Sequence, residues 1–566
     1  NLSNIKVVTL YAKMQPNKSL ITLDKDGGAG GTDYYYEVYK TANYFDIDCK
    51  SLATSVLIPE KTGYAFKGYY AVIADEEKKV IDGNGQFLPT TVFGEETTLT
   101  AKWQAKEYTL SVDLQSNLIK TVPQIEDETF VIMYGKVAFL PVPSAEYYSF
   151  IGWSTDYGNT PITDSYGKLN SAWNYDEDLT LYANWRKVDE YADYDYISTA
   201  KELADISVSG KSLLVCDLDL GGASWTPIST FSGTFDGGGH CVYNFTVNTS
   251  GSKNDEVELG FFAETNKTAV ITNLAIGKSG FTTKYEAVDW WSYGMHIGAI
   301  VANNNGTITN CLVPNVYIKG RVLNNGASAW ANVAGIAGTN RGNISICVVN
   351  NSEFYSQSKC GYKDHTAEAR AGGIVGYNEV STSMGNLSDC LSMNNRIDAY
   401  AHTWGDKDNH EANAWAMAGG IIAYWKGGNA ERLVEYANDV RANANADYGG
   451  EASVYKNGIA GAHIVFSTSN YSFKSFVTGG DSYTVKSIAF WPMKSEIIYT
   501  ANGLKQNFTY SNLIATDSAF KNESIWYADE NGLIALKWQK TKTDSGGVIN
   551  VPCEITDGKG GGTQYA

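Results

Sequence analysis

No cluster of lysine or arginine occurs anywhere along these 566 residues. A phosphate-binding surface needs such clustering, so nucleic acid is not an expected partner. The balance is acidic instead, 62 Asp and Glu against 44 Lys and Arg, a formal net charge of −18. Apolar runs are short as well. The longest, such as Ile297 to Ala302 and Gly420 to Trp425, have the length of a strand and fall far below the ~18 residues of a membrane helix. Membrane insertion within this segment is therefore not expected. The eight cysteines are scattered and none forms a Cys-x-x-Cys pair, which argues against a zinc site and a disulfide scaffold. There is no Gly-x-Ser-x-Gly elbow and no phosphate loop. His410-Glu411-Ala412-Asn413-Ala414 starts a zinc-protease pattern but lacks its second histidine. These absences leave no catalytic set and no metal set.

Glycine (56) and tyrosine (38) are what the chain has in quantity, while proline is sparse (11). Many glycines and aromatics with few amphipathic stretches predict strands joined by tight turns. The length predicts several domains.

Two sets of internal repeats organise the chain. Thr9 to Met14, Thr98 to Trp103 and Thr180 to Trp185 match one another, and each alternates polar and apolar residues as a half-buried strand does. Upstream of the second and third copies, Gly63 to Tyr69 aligns with Tyr147 to Trp153, sharing aromatics and a glycine suited to a bulge. These segments resemble the internalin B-repeat family, whose pattern is Gly-Tyr-x-Phe-x-Gly-Trp followed by Leu-Tyr-Ala-x-Trp. The resemblance implies small β-grasp-like modules strung along a bacterial surface protein. The first copy shows only its last strand, which leads us to expect residues before Asn1.

The second set pairs a turn with a strand: Gly306 to Cys311, Gly342 to Cys347 and Gly385 to Cys390, with a weaker copy at Ala269 to Leu274. Glycine-marked apolar strands precede them around Gly260, Gly298, Gly335 and Gly373, and another follows at Gly420. Fixed strands with uneven insertions are the behaviour of a solenoid. These residues resemble the GLUG motif of large bacterial surface proteins, including IgA-protease-type chains. The opening run from Ile197 to His240 and a closing run from Trp526 to Trp538 fit the same resemblance. It implies a right-handed parallel β-helix, with the repeat fading between about Gly427 and Met493. Ser198 or Thr199 is expected to cap a short helix, with Glu202 completing a capping box.

The expected fold is all-β, small β-grasp-like repeat modules followed by a right-handed parallel β-helix. The expected boundaries are residues 1–14 for the truncated repeat, 15–106 and 107–186 for two modules, 187–196 for a linker, 197–540 for the β-helix and 541–566 for a Gly-rich tail.

Cys311, Cys347 and Cys390 read as an interior ladder of thiols. Tyr293, Trp330 and Trp415 each stand five residues before a repeat glycine, so they are expected to align on one face. They would stack on each other or on sugar rings. Trp290 and Trp291 lie in an insertion, where an exposed binding role is expected. Asp406, Asp408 and Glu411 offer oxygen atoms to calcium, the only cofactor worth considering, but lack the spacing of an EF-hand. Asp364, Glu368, Asp406 and Glu411 are the best carboxylates for a polysaccharide-active site.

The function expected from the resemblance is a non-catalytic, extracellular cell-surface adhesin or structural protein. Its partner would be a host, matrix or glycan ligand, or copies of itself. A self-assembling surface filament and a polysaccharide-active enzyme are the alternatives.

Overall fold

The computed structural model describes residues 15–457, apart from 90–91, 158–159, 252–255, 288–290, 362–363, 380–384, 405–411, 437 and 448–450. Beyond 457 it describes the strand backbones Ala460–Ala462, Tyr471–Phe473, Phe476–Gly479, Trp526–Ala528 and Ile534–Leu536. The first repeat copy, most of the closing run and the tail lie outside the described residues. The chain divides into two compact units, residues 1–189 and 190–566.

The first unit holds two mixed sheets built alike. In one, Lys18–Asp24 pairs antiparallel with Tyr34–Val38 and parallel with Thr97–Ala105, which in turn pairs antiparallel with Tyr64–Ile73. In the other, Glu107–Asp113 pairs antiparallel with Thr129–Met133 and parallel with Leu179–Lys187, which pairs antiparallel with Tyr148–Ser154. The alternating residues face separate cores, around Ile21, Tyr69 and Leu99 and around Leu110, Trp153 and Leu181. The shared glycines do make bulges. Register slips at Phe66/Gly68 and at Phe150/Gly152, and both glycines adopt positive φ. A Cβ would sit 2.2 Å from the Ile81 carbonyl oxygen at Gly68 and 2.5 Å from that of Thr163 at Gly152, so no other residue fits.

The second unit is a solenoid-like stack of parallel strands. Near its start the strand Asp195–Ile197 leads into the helix Ala200–Ala204, capped by Thr199, whose side chain accepts from the Glu202 N–H. Glu202 returns a carboxylate oxygen to the Ser198 N–H at 2.9 Å. From there each coil adds one strand to each of several parallel sheets. An opening sheet runs through Thr234–Asp236, Val270–Thr272, Thr307–Thr309, Asn343–Ser345 and Asn386–Ser388. A broad sheet runs through Gly280–Ala287, Tyr317–Asn324, Glu353–Cys360, Arg396–Trp404 and Asp439–Asp447. A first narrow sheet runs through Tyr293–Gly298, Ala329–Ala334, Thr366–Gly372, Asn413–Gly419 and Ala452–Asn457. A second runs through Val301–Asn304, Ala337–Asn340, Val375–Asn378 and Ile422–Trp425. Where the sequence repeat fades after Gly427, the stacking continues in register through Asp439–Asp447.

Parallel stacking places like residues in columns. Ile271, Ile308, Ile344 and Leu387 form one inner column, and Phe281, Ile318, Phe354, Ile397 and Val440 another, all buried. Cys311, Cys347 and Cys390 are buried thiols whose Sγ atoms each lie 3.2 Å from the carbonyl oxygen two residues back. Burial, with Cys311 and Cys390 on either side, holds the Cys347 thiol well above its ordinary pKa. A buried asparagine column gives order at the turns. Asn304 donates to Asn340 and Asn340 to Asn378, each at 2.8 Å, while Asn304 and Asn340 accept from the N–H groups of Gly306 and Gly342. The repeats start on glycine because a Cβ at Gly342 would stand 2.1 Å from the Gly306 carbonyl oxygen.

Candidate functional site

The expected alignment of Tyr293, Trp330 and Trp415 is corrected by the strand register. Gly298 pairs with Ala334, not Gly335, so Tyr293 pairs with Ala329 and points inward, 3% exposed. Side chains alternate between faces, so a slip of one residue moves a residue from surface to core. Trp330 and Trp415 do share an outward column, but with Gly294, Glu368 and Ser453. The Trp330 ring lies across Gly294, where a Cβ would meet its Nε1 at 1.8 Å. Trp291 is 72% exposed, and its carbonyl accepts from the buried Asn324 side chain at 2.8 Å. Trp290 lies outside the described residues.

The carboxylates considered for catalysis are not brought together among the described residues. Glu368 is ion-paired with Arg370, and Asp364 sits at a positive-φ turn. Asp406, Asp408 and Glu411 lie outside the described residues. Among the described residues no three His, Cys, Asp or Glu side chains group closely enough to hold a metal ion.

Two sites had no signal in the local sequence. The first is an elbow where outward side chains of the two narrow sheets meet. His296, Asn332 and Arg370 form a column on one arm, and Asn303, Thr339 and Tyr377 one on the other. The Thr339 hydroxyl lies 2.6 Å from His296 Nδ1, and Arg370 donates to Asn332 Oδ1 at 2.9 Å. The Arg370 guanidinium also lies 4.7 Å from the Tyr377 ring centre and 5.2 Å from that of Tyr424. Burial pushes the Arg370 pKa down to about 10. At one end, Glu258 accepts from Asn303 at 2.6 Å and Glu256 lies 3.4 Å from His296 Nε2. Burial, with Glu264 nearby, raises the Glu258 carboxyl above its ordinary range, while His296 holds Glu256 below it. The bonds within the elbow tie its two arms together. Its polar groups bond mostly to one another, while Asn303 Oδ1 and Arg370 Nε are buried without a hydrogen-bond partner.

The second is the outer face of the broad sheet. Its strands alternate buried and accessible residues along their length. The accessible columns carry Tyr317, Tyr355, Tyr400, His402 and Trp404 among charged residues. Tyr317 and Tyr355 lie 5.6 Å apart, and His402 and Trp404 also 5.6 Å apart. Lys319 lies over the Tyr355 ring and Lys359 over Tyr400, at 5.8 and 5.6 Å. Rings tilted to one another along a regular sheet, with polar groups between them, can receive a planar or ring-shaped ligand.

No family model matches the chain. A protein of Evansella cellulosilytica named "Putative membrane protein" is 29% identical over 179 residues, 31% of this chain and 22% of that protein. A second from the same organism, named "Putative Gly-rich membrane protein", is 32% identical over 184 residues, 31% of this chain and 17% of that protein. Halomucin of Haloquadratum walsbyi is 20% identical over 287 residues, 48% of this chain and 3% of that protein. The chain thus spans less than a quarter of the length of the curated relatives it matches. Among solved structures, one named as a putative immunoglobulin A1 protease from Bacteroides ovatus has a TM-score of 0.29 and 15% identity, over 61% of this chain and 92% of that one. Likeness at that level carries no argument about function. The chain is all-β, with a solenoid-like stack of parallel sheets in its second unit.

Proposed function

We propose that this chain is a non-catalytic, extracellular surface protein of the adhesin or structural kind. In this reading, internalin-type β-grasp modules carry a right-handed parallel β-helix of the GLUG type. The strong preference of parallel crossover connections for the right hand supports that handedness. The observation that carries the reading is the outer face of the broad sheet, a stiff, regular surface of aromatic and charged side chains held by a packed scaffold. Such coils present a ligand with repeated, fixed contacts, so that binding rests on avidity and shape. The membrane-protein names of two relatives fit a place at the cell surface. A glycan and matrix-protein array probed with the whole chain tests the reading. Binding that weakens in Trp404→Ala and Tyr400→Ala supports it. A chain that binds nothing on the array and assembles into regular filaments refutes it in favour of self-assembly.

A further inference from the structure

We propose that the broad sheet's outer face binds an acidic polysaccharide through Lys319, Arg321 and Lys359. This rests on the adhesin reading and names the ligand class of its site. These three residues are spread over some forty positions of sequence, which is why no basic run appears, and the coil stacking brings them together. Lys319 and Arg321 stand two residues apart on one strand, about 6.6 Å along it, and Lys359 lies on the next strand opposite Leu323.

The carboxylates of this face are already engaged. Glu286 holds Lys284 at 2.6 Å, Asp398 lies 3.8 Å from Arg396, Asp447 lies 3.3 Å from His402, and Asp439 pairs with Arg441. Glu353 accepts from the Tyr355 hydroxyl at 2.7 Å. Lys319, Arg321 and Lys359 have no carboxylate partner among the described residues. Arg321 also sits directly opposite Lys284, so two cations face each other across about 4.8 Å of sheet. In a chain of net charge −18, cations placed together with no carboxylate between them are complementary to an outside anion.

The flanking chemistry selects the kind of anion. Tyr355 and Tyr400 lie beside the cations, with Lys319 and Lys359 reaching over their rings. Aromatic faces accept the apolar faces of sugar rings, and lysine and arginine accept carboxylate or sulfate. A nucleic-acid duplex carries a charge every ~1.7 Å, far denser than these cations. A polysaccharide with one acidic group every sugar or two matches them better.

The test uses the whole chain with alginate, chondroitin sulfate, neutral dextran and oligo-dT in a direct binding assay at two salt concentrations. The expected result is binding to alginate or chondroitin sulfate that falls with salt, with none to dextran. The triple variant Lys319→Gln, Arg321→Gln and Lys359→Gln should weaken that binding about tenfold or more. Arg321→Lys alone should keep most of it, and Lys79→Gln in the first unit should change nothing. The inference is overturned if neither acidic polysaccharide binds, if the triple variant binds as the parent does, or if oligo-dT binds more tightly than both. Array binding to a neutral glycan, with alginate and chondroitin sulfate unbound, would sink this inference and leave the adhesin reading standing. Filament assembly with no glycan bound would sink both.

Discussion

Ile346 breaks a rule that its neighbours in the stack obey. The residue before each repeat cysteine adopts positive φ, and at that place stand Asn310, Ile346 and Asp389, with Asn273 and Arg432 at the same step of flanking coils. Asn and Asp tolerate this conformation, whereas a β-branched residue is strained there, at about 1–2 kcal/mol. The column is also a hydrogen-bond ladder. Asn273 donates to Asp236 at 2.9 Å and Asn310 to Asn273 at 2.6 Å, while Arg432 pairs with Asp389 at 2.6 Å. Ile346 interrupts it, and Asn310 Oδ1 is buried without a partner. Ile346→Asn should relieve the strain and supply a donor to that oxygen, the bond adding about 1 kcal/mol. The half-buried isoleucine side chain gives back about 1 kcal/mol of apolar burial. The net gain is about 1–2 kcal/mol, or a few degrees in the thermal midpoint by calorimetry. Ile346→Ala keeps the strain and loses the burial, so it should melt below the parent. A midpoint for Ile346→Asn at or below that of Ile346→Ala would rule this account out.

Other expectations follow from the same geometry. Asn340→Ala removes a member of the buried asparagine column and leaves its neighbours short of partners, so it should lower stability by about 1–3 kcal/mol in a denaturant titration. Glu258 has a raised carboxyl pKa through burial, so its favourable contribution is present below the ordinary carboxylate range and lost as pH rises through the raised value. Glu258→Gln should therefore be more stable than the parent at pH 7 and level with it near pH 4, read from denaturant midpoints at both. Cys311, Cys347 and Cys390 should resist a thiol reagent at pH 8 until the protein unfolds, whereas the partly exposed Cys49 should react at once. Equal rates for all four would count against the packed ladder.

Much of the fold is legible in the residues because it depends on short-range pattern. Alternation in Thr98 to Trp103 and Thr180 to Trp185 produces the central strands, with Leu99, Ala101, Leu181 and Ala183 buried. The bulge glycines Gly68 and Gly152 and the helix cap at Thr199 are equally local. The candidate site was far less legible. Counting five residues back from each repeat glycine placed Tyr293 beside Trp330, but the strands pair one residue out of that count. No insertion separates Tyr293 from Gly298, which share one strand; Gly298 stands opposite Ala334 and so is not the counterpart of Gly335, and one residue is enough to reverse a side chain.

The alternation of the strands, the positive-φ bulge glycines Gly68 and Gly152 and the start of a helix at Thr199 are thus local properties of the chain. Those properties follow from period and local sterics, and need no knowledge of what stacks on what. Which residues become neighbours across coils depends on the stack. It lined up Asn304, Asn340 and Asn378, bent two sheets into the elbow of His296 and Arg370, and set Lys319, Arg321 and Lys359 on one face. The physical reason is that parallel strands pair by hydrogen-bond register between segments a whole coil apart, and that register is set by the packing of the stack rather than by any single stretch of chain.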